Sequence, residues 1–101
     1  MVAKTVNFDI TCNSGGHYSD AKDVTLDSNR TLLGVFAAIN SFDLGFTNGD
    51  HHLGEIQVDT SASLVGQNQV NVSIDVIFQD KNGDDPYAGY VTVLLVGIEE
   101  A

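Results

Sequence analysis

Residues 69–79, QVNVSIDVIFQ, constrain this chain more than any other stretch. Val70, Val72, Ile74, Val76 and Phe78 alternate with Asn71, Ser73, Asp75, Ile77 and Gln79. A period of two places one set on each side of an extended strand, so this segment is a half-buried β-strand. Such a strand needs neighbours with matching apolar faces. Residues 5–11 supply one, with Val6, Phe8 and Ile10 set against Asn7 and Asp9. Residues 54–60 supply another, with Ile56 and Val58 inward and Glu55, Gln57 and Asp59 outward. Residues 31–43 are more apolar. Their alanines are compatible with a helix, but Gly34 and the β-branched and aromatic residues favour a strand buried on both faces.

Residues 88–98 are apolar on both sides of the period-two pattern. Tyr90, Thr92, Leu94, Val96 and Ile98 make one row, and Val91, Val93, Leu95 and Gly97 the other. An antiparallel sandwich strand ordinarily needs one apolar face. A second apolar face calls for a covering layer or a subunit contact, and few residues are left to form a layer. Homo-oligomerisation is the expectation, with Val93→Asp expected to break the oligomer apart. Residues 12–27, 43–53, 61–68 and 80–87 read as loops, with Asn48-Gly49-Asp50 and Asn82-Gly83-Asp84 as turn signals. At least five strands in 101 residues, with ten glycines for turns, indicate one all-β domain over residues 1–101, an antiparallel sandwich or small barrel.

Fourteen acids against four bases give a formal net charge of -10 at pH 7. That charge disfavours nucleic acid and anionic membranes as partners and permits cations, neutral sugars or a basic partner. No apolar run approaches the ~18 residues of a membrane-spanning helix, so no membrane insertion is expected. The start, Met1-Val2-Ala3-Lys4, shows no apolar signal segment, which points to a cytoplasmic or non-classically secreted product. Cys12 is the lone cysteine, so no intrachain disulfide forms, and near a strand end it reads as a small buried hydrophobe.

Three clusters carry candidate chemistry. Asp80, Asn82 and Asp84 are spaced by two, like the opening of a Ca²⁺ loop. Gly83 and Val91, however, fall at the fourth and twelfth positions, where such a loop wants Gly at six and Glu at twelve, so an acidic hairpin turn is the alternative. Asp50-His51-His52 holds zinc or nickel ligand types, joined by His17 if the fold brings it near. Adjacent histidines on extended backbone point opposite ways, though, which favours a polar loop. Asn13-Ser14-Gly15-Gly16-His17-Tyr18 is a glycine-rich turn without the helix or lysine of a phosphate cradle. No nucleophile elbow or pocketed carboxylate pair is visible, so the chain is expected to bind or assemble rather than catalyse. The same loops offer Asp and Asn acceptors and His or Tyr surfaces to the hydroxyls of a sugar.

The order of these features resembles the H-type lectin family, small β-sandwiches of six strands. The resemblance runs through Phe8-Asp9-Ile10-Thr11-Cys12 with the turn at residues 13–18, the apolar segment 33–44, then residues 53–60, 70–78 and 87–99. It implies a sandwich of about six strands, a trimer or hexamer, and carbohydrate as ligand without an obligatory cofactor. Departures are specific. The family's terminal-strand Trp is replaced by Leu95 or Val96, its sugar-contacting Arg falls at Gly54, and its aromatic-His pair falls at residues 78–81, where no His stands. The candidate ligand-binding set is therefore Asn13, Ser14, Gly15, His17, Asp50, His51 and Asp80. The alternative from another class is a structural assembly piece of a phage or other particle.

Overall fold

The computed structural model describes residues 1–49, 52–81, 83 and 85–101. Six strands follow in order: β1 (Val2–Cys12), β2 (Gly16–Thr25), β3 (Leu32–Phe46), β4 (Glu55–Leu64), β5 (Gln69–Gln79) and β6 (Tyr87–Glu99). They form two three-stranded antiparallel sheets, ordered β1-β6-β3 and β2-β5-β4. The chain is an all-β sandwich, extended to 51 × 18 × 16 Å along its strands.

The core lies between the sheets. From β5, Val70, Val72, Ile74, Val76 and Phe78 face inward. They meet Val91, Val93 and Leu95 of β6 and Val6, Phe8, Ile10 and Cys12 of β1, all almost fully buried. Alternation alone produces this layer, because every second residue of a strand shares a face. Leu26 and Leu32 close one end, and the ring stack Phe46–Phe78–Tyr87 closes the other, with centroids 4.7 and 5.2 Å apart. On the β1–β2 side, two of the four bases strap the sheets together. Lys22 Nζ donates to Asn7 O (2.6 Å) and lies 5.1 Å above the Phe8 ring, while Lys4 Nζ reaches Thr25 O (3.5 Å).

Three expectations need correction. Residues 12–27 are not one loop, since β2 occupies Gly16–Thr25. Its inward register includes Asp20 and Lys22 beside Tyr18 and Val24, tolerated because β2 is an edge strand and these side chains reach the sandwich rim. β3 is not buried on both faces. It too is an edge strand, with Leu33 65%, Phe36 51% and Phe42 46% exposed, and register shifts at 32/34 and 39/41 insert extra residues. Finally, Val93 is 0% exposed and belongs to the core, so it is no interface probe.

The outward row of β6 is Tyr90, Thr92, Leu94, Val96 and Ile98. Opposite Val96 stand Ala3 of β1 and Phe36 of β3, and opposite Leu94 stand Thr5 and Ala38. Val96, though 6% exposed, lies outside the core cluster. Phe36 (51% exposed) and Ile98 (39%) flank a shielded Val96, so this half of the sheet's outer face presents apolar side chains to its surroundings. The outer face of the other sheet is polar and internally hydrogen-bonded, as in Asn71 to Asp23 (2.9 Å), Ser61 to Ser73 (2.8 Å) and Gln69 to Thr25 (2.6 Å).

Candidate functional site

The antiparallel order puts the connections β1–β2, β3–β4 and β5–β6 at one end of the sandwich, since Cys12 and Phe46 both pair with Tyr87, and Gly16 and Glu55 pair with Phe78 and Gln79. Asn13, Ser14, Gly15, Asp80 and residues 47–49 and 52–54 thus share that end. Gly15 (φ +74°) and Gly16 (φ +71°) are successive left-handed residues, which turns the chain within three residues. A Cβ on Gly16 would press on the Gly83 carbonyl at 3.3 Å, so the β1–β2 and β5–β6 connections touch there.

Backbone and side-chain bonds tie the three connections together. Tyr87 Oη donates to Gly16 O (2.7 Å) from full burial. Burial, then the Cys12 hydrogen bond and the Cys12 and Tyr18 charges, push the Tyr87 phenol above its ordinary range. Tyr18 is raised as well, first by burial and then by Asp20 and Cys12. The Cys12 thiol, 5% exposed, donates toward Gly15 O (3.5 Å). Thr47 N–H donates to Pro86 O (3.0 Å), Asn48 Nδ2 to Asp85 Oδ1 (3.2 Å), and Gly54 N–H to Gln79 O (2.8 Å). Gly83 N–H donates to Asp80 Oδ1 (3.2 Å). This end therefore presents amide, hydroxyl and carboxylate groups held by a buried Tyr–Cys–carbonyl foundation.

Asn13 and Ser14 sit exposed on the β1–β2 turn, and Gly15 is buried beneath them. His17 lies on the outer face of β2, where its Nε2 is 3.1 Å from Asp75 Oδ1, an exposed pair directed along the sheet. A shallow hollow beyond it is lined by Ser19, Asp20, Ala21, Ser73 and Asp75. Asp50 and His51 of the ligand set, and Asn82 and Asp84 of the calcium set, lie outside the described residues. Among the described residues, no three His, Cys, Asp or Glu side chains come together as a metal-binding group. Nor is any helix among them long and apolar enough to cross a membrane. Sequence reasoning missed Asn48 and Asp85, which are 37 residues apart and meet only through sheet topology.

No protein-family model matches this chain, no curated protein matches it in sequence, and no solved structure matches it.

Proposed function

We propose that the chain is a carbohydrate-binding, H-type-lectin-like module working as a homo-oligomer. The observation that carries this reading is the division of labour in the molecule. Polar connections gather at one end, while one half of the outer face of the β1-β6-β3 sheet presents apolar side chains. Sugar hydroxyls would be held by the amide, hydroxyl and carboxylate groups of Asn13, Ser14, Asn48, Asp80 and Asp85. Copies packed through the sheet face would present several such ends together, so weak single sites gain strength by multivalency.

A glycan array run with Ca²⁺ and with chelator tests the ligand. Saturable binding that weakens in Asn13→Ala is expected, and chelator sensitivity would bring Asp80 into a metal site. Sedimentation of Phe36→Asp tests the assembly. Phe36 is half-exposed on the apolar face, so the variant is expected to stay folded and become monomeric. An unchanged sedimentation profile for the folded variant would sink that assignment. The same apolar face also suits a structural assembly piece of a larger particle, the reading a blank array from folded, oligomeric protein would favour.

A further inference from the structure

We infer that association through the outer face of the β1-β6-β3 sheet is tuned by protons, with Asp9 and Asp43 weakening the contact between copies near neutrality and strengthening it on acidification. This rests on the proposed role of that face as the interface between copies. Across the sheet, Asp9 of β1, Tyr90 of β6 and Asp43 of β3 are direct register partners, so one rung of the face carries two carboxylates flanking a phenol. Tyr90 is 39% exposed, and Asp9 accepts a hydrogen bond from Asn7 Nδ2 (2.9 Å) on the same strand face. Among the described residues in outward register on these three strands, there is no Lys, Arg or His. The bases are elsewhere: Lys4 and Lys22 strap the β1–β2 seam, Arg30 reaches Glu100 O (3.5 Å), and Lys81 lies on the β5–β6 connection. The face thus has an apolar half around Phe36, Leu94, Val96 and Ile98, and an acidic half with no base among its described outward residues.

The occupant is a second copy. β6 has 13 residues, so the face is ~43 Å long at ~3.3 Å per residue and ~14 Å wide for three strands. That projects to roughly 600 Å², about three-quarters of the ~800 Å² per partner of a standard stable interface. An interface of that size is marginal, so its charge balance affects how tightly it closes. Two packings are available. With strands parallel, apolar half meets apolar half, and carboxylates meet carboxylates. With strands antiparallel, the carboxylates of one copy are pressed onto the apolar half of the other. Like-charge repulsion acts in the first case and desolvation in the second, and both favour the protonated form. The sign is the same either way: association takes up protons and strengthens as the pH falls. A symmetric pair brings four carboxylates. Relieving part of the repulsion and desolvation of these four carboxylates is expected to tighten association roughly tenfold between about pH 7.5 and about pH 5.0, the equivalent of ~1.4 kcal/mol.

Sedimentation equilibrium of the full chain at those two pH values reads this directly, with circular dichroism confirming the fold. Wild type is expected to associate about tenfold more tightly at the lower pH. D9N/D43N is expected to associate at both, with the pH response largely gone. D23N/D59N removes the same charge from the outer face of the other sheet and is expected to keep the wild-type response. A flat wild-type profile, with Phe36→Asp still monomeric, overturns the proton tuning and leaves the interface standing. An equal loss of response in both double variants also overturns it, because the effect is then net charge alone. Failure of every form, including D9N/D43N, to associate at either pH overturns the interface itself.

Discussion

Replacing Tyr87 by Phe isolates one atom of the foundation beneath the polar end. The Tyr87 hydroxyl donates to Gly16 O at 2.7 Å, and both residues are buried. Removing the hydroxyl leaves a buried carbonyl without that donor, at a cost of ~1–3 kcal/mol. A domain of this size loses ~4–8 °C of melting temperature per kcal/mol, so a fall of about 10 °C is expected. The phenol also sets an alkaline limit. Burial raises it above the ordinary tyrosine value of 10.0. A group raised on folding contributes its stability fully below the unfolded value and loses it as pH rises toward the folded one. Wild type should therefore weaken above about pH 10, and Tyr87→Phe should weaken less over the same interval. Urea unfolding followed by circular dichroism at about pH 7 and about pH 11 measures both effects. A variant within about 0.5 kcal/mol of wild type at neutral pH, well under the cost of an unpaired buried carbonyl, would refute the account, as would an alkaline decline identical to wild type.

Two further outcomes are expected. Val93→Asp puts an unpaired charge into the core between the sheets and should abolish cooperative folding, a loss above ~4 kcal/mol seen as a lost thermal transition, rather than yield a folded monomer. Glu99 accepts hydrogen bonds from the Met1 amine (2.6 Å) and Ser28 Oγ (2.6 Å), which lower its carboxyl below the ordinary 4.5, amine first. Stability from such a group is present above the unfolded value and lost as pH falls through the folded one. Glu99→Gln should thus melt lower than wild type at neutral pH, and the two melting curves should converge on acidification below about pH 4.5.

How much of this was readable beforehand depended on where a strand sits. β5 is the centre of its sheet with one polar face, so its alternation marked residues 69–79, the observed bounds. β2 hid because Asp20 and Lys22 occupy inward register at the rim, where an edge strand lets polar ends reach water, and this broke the pattern. The apolar content of β3 suggests burial on both faces, because nothing within the segment marks it as an edge strand. Both rows of β6 are apolar, and nothing local distinguishes them. Only the opposing β5 row makes Val91, Val93 and Leu95 the inner set. The candidate site was legible as loop chemistry but not as geometry. Residue type alone points to Asn13, Ser14 and Asp80, whereas His17 pairs with Asp75, 58 residues away. Such pairings are set by sheet register, which short-range patterns do not encode.

The placement of β6 also dictates the order in which the fold comes into being. It is the last strand in sequence yet the middle of its sheet, so β1 and β3 have no hydrogen-bonding partner until it arrives. Val2 waits for Gly97, close to the widest separation the chain permits. The neighbouring β4–β5 hairpin closes over only four residues, so it is the natural first structure during synthesis. Until β6 emerges, the nascent chain carries two unpaired apolar strands, and both the speed of folding and the hazard of aggregation are set by how quickly that final segment inserts between them.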